Sequence, residues 1–271
     1  MTHNVWLEKH PYLRSVAQFH RAIEITLTSV PFPPAYMPGW GDYVSDFRFG
    51  IPLLRSQSVA IDFRPLATPM LTVTQMLLSK SLPEKLKEKV RDLHSDLQRG
   101  TDGSACVLNS LFGEPSFIPT HPGLFHHLGW TVLARCLSDL VAAFGAWRDE
   151  ESWLRPYCPT CGALPAMAQL IGLDNGRMRL LCCGHCRTNW NYPRVGCPFC
   201  ENTDDRRLGH LDLQGETALR IDYCEECGGY LKTYNGKGSE ALFLADWTSL
   251  HLDIIARDRG LNRFAQSLYE L

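Results

Sequence analysis

At 271 residues the chain exceeds the usual size of one compact domain, and its 45% hydrophobic and 21% charged residues exclude a disordered polymer. A net charge of −2 excludes a general electrostatic grip on nucleic acid or on anionic membrane. Eleven cysteines in a chain this long read as metal ligands rather than as a disulfide framework.

The first ten residues, Met1 to His10, lack the basic-then-apolar layout of a signal peptide. No run approaches the roughly 18 consecutive apolar residues needed to span a bilayer. The expected location is the cytoplasm, without stable membrane insertion. His10 to Thr28 is a candidate helix, ended by the proline-rich run Val30 to Pro38, where backbone donors are missing and φ is fixed. A second helix is expected over Thr68–Lys80, opened by the pair Thr68-Pro69. A third is expected over Ser81–Arg99, with Leu82, Leu86, Val90, Leu93 and Leu97 on one face and a solvated Lys/Glu face opposite. One long helix is expected from Leu124 to Trp147, apolar over most of its circumference and therefore internal. Cys136 on that helix and the isolated Cys106 read as small packed hydrophobes. His121, His126 and His127 lack a fourth residue to complete a metal site.

Between residues 158 and 227 lie nine of the eleven cysteines, eight of them in C-x-x-C pairs: Cys158/Cys161, Cys183/Cys186, Cys197/Cys200 and Cys224/Cys227. Two intervening residues let a tight knuckle turn both sulfurs toward one ion, and two knuckles complete a tetrahedral shell. Cys182 breaks the two-residue spacing and is read as non-ligating, and His185 as a bystander inside its knuckle. An internal repeat orders the pairs. Arg155 to Gly162 aligns with Arg194 to Glu201, and Arg179 to Cys186 with Arg220 to Cys227. Hairpins are expected in each gap: Ala166–Leu170 with Met178–Leu181 around Asn175-Gly176, and Leu208–Leu213 with Thr217–Ile221 around Gln214-Gly215. Gly162 and Gly228 are expected at positive φ. The repeat assigns one ion to Cys158, Cys161, Cys183 and Cys186 and the other to Cys197, Cys200, Cys224 and Cys227. A cross-braced pairing of the first knuckle with the third stays open. Ser239–Arg257 is expected as a closing helix.

The predicted architecture is α+β: a mostly helical domain over 1–152, rubredoxin- or zinc-ribbon-like tetracysteine modules over 153–193 and 194–237, and a C-terminal helix within 238–271 that packs on the body. Closed four-thiolate shells leave no open coordination position, and phosphate loops and nucleophile elbows are absent, so a non-enzymatic role is expected. Nine basic and nine acidic residues between 158 and 237 argue against a nucleic-acid ribbon. Candidate partner contacts are Trp190 and Tyr192 just past a knuckle, and Asp246 and Asp253 on the last helix. Trp190 packing under its own ribbon is the competing reading.

The four ordered knuckles, with Tyr157 to Ala166, Gly176 to Trp190, Arg194 to Cys200, Tyr223 to Lys232, Ala245 to Asp253 and the short Gly50 to Leu54, resemble the FdhE-type formate dehydrogenase accessory proteins. Asn189, and the ending from Gly260 to Leu271, depart from that family's pattern. The resemblance implies a cytoplasmic assembly factor that binds the dehydrogenase catalytic subunit before its export. It also implies two rubredoxin-like centres on the eight knuckle cysteines, with iron favoured and zinc chemically possible. A redox alternative follows from iron: an electron-transfer or redox-sensing protein.

Overall fold

A computed structural model describes residues 2–32, 37–59, 61, 67–100, 109–113, 117–172 and 178–269. Cys106, the Asn175-Gly176 turn and the centre of the proline-rich run lie outside the described residues. Two compact units divide the chain. One comprises Met1–Pro11, Gly39–Val59 and Gly145–Ser267; the other comprises Tyr12–Pro38, Ala60–Phe144 and Leu268–Leu271. Residues 3–9 and 40–49, within the segment expected to be one helical domain, therefore cluster with the cysteine region.

The helical unit is built on α2 (Arg14–Ser29), α4 (Ala67–Leu78), α5 (Glu84–Gly100) and α6 (Pro122–Cys136). Its core gathers Phe19, Ile23 and Leu27 with Val73, Leu77, Val90, Leu93, Leu97, Leu128 and Val132. The helix expected from His10 does not run through. Pro11 lacks the backbone donor and disfavours helical geometry at His10, so the chain forms α1 (His3–Lys9), a 3₁₀ turn over Pro11–Leu13, and only then α2. The long helix expected over Leu124–Trp147 is also two: α6 and α7 (Ser138–Trp147) meet at a 59° bend. The Ser138 hydroxyl donates to the carbonyl of Arg135 at 2.9 Å and takes an acceptor freed at the break. Among the described residues no single helix is long and apolar enough to cross a membrane, though α6 and α7 pass that test together as a bent pair.

The second unit carries α1, α3 (Trp40–Phe49) and a six-stranded sheet. Its strands are β1 (Pro165–Ile171), β2 (Met178–Cys183), β3 (Asn189–Tyr192), β4 (Leu208–Leu213), β5 (Glu216–Cys224) and β6 (Tyr230–Asn235), in the order β3-β2-β1-β6-β5-β4. Both expected hairpins form, with Leu181 opposite Ala168 and Ile221 opposite Leu211. Each repeat adds a third strand after its second knuckle, and the two repeats join through the parallel pair β1–β6. That central position explains why β1 is buried on both faces, from Pro165 to Leu170.

The expected closing helix is broken into α8 (Glu240–Phe243), a 3₁₀ turn over Asp246–Ser249, and α9 (Leu250–Asp258). The Thr248 hydroxyl, 2.8 Å from the carbonyls of both Leu242 and Ala245, takes over acceptors that a continuous helix would have satisfied.

Candidate metal centres

Each knuckle closes by the same local device. The residue after its second cysteine takes a left-handed conformation: Gly162 (φ 81°), Arg187 (φ 63°), Glu201 (φ 58°) and Gly228 (φ 69°). Glycine does this freely, whereas an L side chain is strained there by roughly 1–2 kcal/mol. Arg187 and Glu201 are the non-glycine residues with positive φ among the described residues, and both fall at knuckle positions. Amides then point at sulfur: those of His185, Phe199 and Gly229 lie 3.3–3.4 Å from Cys183, Cys197 and Cys227 Sγ.

The hairpins bring the knuckles together in sequential pairs, and the cross-braced alternative does not occur. Sγ of Cys158 lies 3.4 Å from Cys186, and that of Cys161 lies 3.4 Å from Cys183. In the second group Cys197 and Cys227 are 3.7 Å apart, as are Cys200 and Cys224. A tetrahedral ion with bonds to sulfur of about 2.3 Å sets its ligands about 3.8 Å apart. Within each group all four sulfurs lie within 4.8 Å of one another, so the two tetracysteine groups could bind two metal ions.

The thiols of the first group are governed by burial and by one another. Burial raises the Cys161 and Cys183 thiols well above their ordinary range. Burial also opposes ionisation of Cys186, yet hydrogen bonds from Cys158, Cys161, Cys183 and Thr188 outweigh it and hold that thiol well below its ordinary value. A thiophilic ion bound here would displace the thiol protons and supply the positive charge that buried thiolates need.

The two centres differ in exposure. Cys158, Cys161, Cys183 and Cys186 are all buried. The first knuckle is also held from behind: the amides of Leu53 and Leu54 donate to the carbonyls of Pro159 and Thr160 at 2.9 and 2.8 Å, and Tyr157 Oη donates to Gly50 O at 2.9 Å. The short Gly50–Leu54 segment is thereby explained. In the second centre Cys200 is exposed and Cys227 half-buried. Its last knuckle is braced by the C-terminal segment, where Asn262 N donates to Gly228 O at 2.8 Å and Tyr230 N to Asn262 O at 3.1 Å. Phe264 packs on Phe199 with ring centroids 5.3 Å apart.

The remaining candidates are placed elsewhere. Cys182 is buried outside the thiol groups, its pKa pushed up to about 12 by burial, and half-buried Cys136 is pushed up to about 11 in the same way. The three histidines disperse: His121 pairs with Asp92, His126 receives the Trp130 indole N–H, and His127 lies against Phe19 and Tyr269.

The partner-contact candidates face inward. Trp190 is buried with its indole donating to Arg155 O at 2.9 Å, and buried Tyr192 donates its hydroxyl to Cys197 O at 3.2 Å. Asp246 and Asp253 both accept from Lys232 Nζ, at 2.6 and 2.8 Å, and from Arg263 at 2.9 and 2.8 Å. Ser267 and Tyr230 complete this cluster through hydroxyl donors to Asp246 and Asp253. Lys232, at 1% exposure, is its centre. Sequence reading missed the cluster because an isolated lysine in a strand carries no mark of burial.

A family model described as "FdhE, central domain" matches residues 157–194. A protein of Pseudomonas putida named "Protein FdhE homolog" is 30% identical over 277 residues, covering 95% of this chain and 80% of that protein. One of the same name from Stutzerimonas stutzeri is 36% identical over 163 residues, covering 57% of this chain and 48% of the relative. Matches of this second kind span about half the relative's length. Among solved structures, the crystal structure of the FdhE protein from Pseudomonas aeruginosa superposes with a TM-score of 0.60 at 22% identity, over 95% of this chain and 88% of that one.

Proposed function

The chain belongs to the FdhE family, and from that membership we propose that it is a cytoplasmic accessory protein in formate dehydrogenase assembly, binding the enzyme's catalytic subunit before export. The observation that carries the reading is the pair of closed four-thiol shells, held on one sheet by knuckles that tolerate backbone strain at Arg187 and Glu201. Strain of this kind persists where the surrounding structure over-determines it. All eight paired cysteines are the proposed ligands, with iron as the resident metal and zinc as the chemical alternative.

Four thiolates saturate a tetrahedral ion, so neither centre is suited to activating water or polarising a substrate. When bound, the ions neutralise thiolate charge and tie each pair of knuckles, which makes metal binding part of the folding energy. The non-enzymatic reading rests on that closure. Leu53, Leu54, Tyr157 and Asn262 fix the outer faces of the knuckles and so set the shape offered to a client.

The second reading is electron transfer, favoured by the exposure of Cys200 beside a half-buried Cys227. Access of this kind at one sulfur suits an outer-sphere donor, and it requires iron.

The test is anaerobic purification of the tagged chain from cells that express the dehydrogenase, with metal analysis of the same sample. Retention of the catalytic subunit, and its loss from Cys224→Ser protein whose first centre remains filled, is the expected result. Metal-replete protein that never retains the subunit overturns the accessory reading. Two zincs per chain in place of iron, after growth with iron in excess, overturns the redox reading alone.

A further inference from the structure

We propose that His10, Glu216 and His251 form a third metal site, one that takes a divalent cation of the zinc, cobalt and nickel class and is independent of the thiolate centres. The three residues come from separate places in one unit: the end of α1, the start of β5 and the second position of α9. His251 Nε2 lies 2.9 Å from Glu216 Oε1, and His10 Nε2 lies 3.2 Å from the same oxygen. The two imidazoles stack with centroids 4.8 Å apart and 24° between planes, so both present their Nε2 edges toward one carboxylate. All three ligand atoms lie within 4.8 Å of one another.

The separations suit an ion. Bonds of about 2.0–2.1 Å to nitrogen and oxygen place adjacent donors about 2.9 Å apart in an octahedral shell and about 3.3 Å apart in a tetrahedral one. The observed 2.9 and 3.2 Å fall within or beside that interval. Imidazole with carboxylate is a borderline donor set that takes zinc, nickel and cobalt, whereas the thiolate groups are soft.

The site is also built. Side-chain exposures are 12%, 9% and 12% for His10, Glu216 and His251. Trp6 forms a wall, its ring 4.0 Å from His10 and 6.2 Å from His251, and its indole is fixed by donation to Thr248 O at 3.0 Å. His10 is set by its amide, which donates to Trp6 O at 2.9 Å, and by the following Pro11. Glu216 follows the tight turn at Gly215 (φ 88°). A cation here would tie the N-terminal helix to the β4–β5 hairpin and to α9. Three protein ligands leave at least one position for water, which distinguishes this site from the closed thiolate shells.

Two hydrogen bonds to one carboxylate oxygen would give the same distances, and metal binding separates the readings. Untagged protein, with its thiolate centres filled as purified, is dialysed against Co²⁺ and assayed for bound metal, visible absorption and melting temperature. One additional cobalt per chain is expected, with weak ligand-field bands, no new thiolate-to-cobalt charge transfer, and a higher melting temperature. Glu216→Gln and His251→Asn should each weaken that equivalent at least tenfold while the thiolate metals stay in place. If either substitution also empties a thiolate centre, His10→Gln, on the N-terminal segment, decides instead. No additional cobalt in the parent protein, or an equivalent retained in full by these variants, overturns the proposal. Cobalt that enters with thiolate charge-transfer bands has displaced resident metal, and that outcome overturns it too.

Discussion

Replacing Lys232 with methionine should be among the most damaging single changes outside the cysteines. The ammonium sits at 1% exposure between Asp246 and Asp253, whose side chains are 9% and 12% exposed. With Arg263 it balances the two carboxylates. Methionine fills a similar volume, so the loss is electrostatic: one guanidinium is left to serve two buried carboxylates. Breaking a buried pair in this way costs roughly 3–5 kcal/mol, or about two to four orders of magnitude in the unfolding constant. In the parent, burial works against ionisation of Asp246, but Lys232 and Arg263 outweigh it and hold the carboxyl well below the usual range. That stabilisation is present above the unfolded-state pKa and is lost as pH falls through the folded one, far into acid. In the variant the cluster carries excess negative charge, so a folded-state carboxyl pKa rises and protonation at mildly acid pH relieves it. Urea unfolding with metal retained, at pH 7.5 and pH 5, reads both effects. A large deficit at pH 7.5 that shrinks at pH 5 is expected, with partial rescue by Lys232→Met combined with Asp253→Asn. A deficit under about 1 kcal/mol, or one independent of pH, refutes the reasoning.

Two more predictions concern the other centres of the molecule. A strong chelator should strip the metals in two phases, the second centre at least tenfold faster than the first, because Cys200 is exposed while the first four sulfurs are buried; Cys224→Ser should remove only the fast phase, and a single phase in the parent would contradict this. In the helical unit, burial lowers His127 from 6.5 to about 4. Its neutral form is therefore favoured in the folded state, and stability is intact above pH 6.5 and declines as pH falls from there toward 4, by about 2 kcal/mol at pH 5. His127→Leu should flatten that slope in urea titrations, and an unchanged slope would assign the acid sensitivity to another group.

The legible part of this chain was written in short range. C-x-x-C spacing, the Gln214-Gly215 turn and alternation in the flanking strands depend on neighbouring residues, and the knuckles and hairpins form as those signals imply. The joining of the repeats was not legible, because the second partner of β1, at the junction, is a strand some 65 residues away in sequence, and β3 has only four residues in which to show a pattern. Helix breaks at Leu137 and Ala245 were hidden for a different reason. Apolar periodicity runs through both, and the deciding contacts are hydroxyl bonds from Ser138 and Thr248 that period counting does not register. Asp246 and Asp253 looked like surface charges for lack of any sequence mark that Lys232 lies beneath them. Arg187 and Glu201 are an intermediate case: neither residue type suggests positive φ, yet the internal repeat aligns them with Gly228 and Gly162.

The way the two repeats join has a consequence for self-association. By the repeat, β4 is the counterpart of β1 and β3 the counterpart of β6, and β1–β6 is the junction. The sheet therefore ends, on its two sides, in the counterparts of the strands that meet at its centre, the arrangement of a head-to-tail polymer stopped after two units. Its ends are blunted. The Arg148 guanidinium occupies the carbonyl of Asn189, Glu151 holds the side chain of Asn191 at 3.4 Å, and Pro193 follows β3 directly. At the other end β4 turns His210 and Asp212 outward. Arg148 and the charged face of β4 are thus chain terminators in the polymer sense, and strand pairing between molecules is what their removal would release.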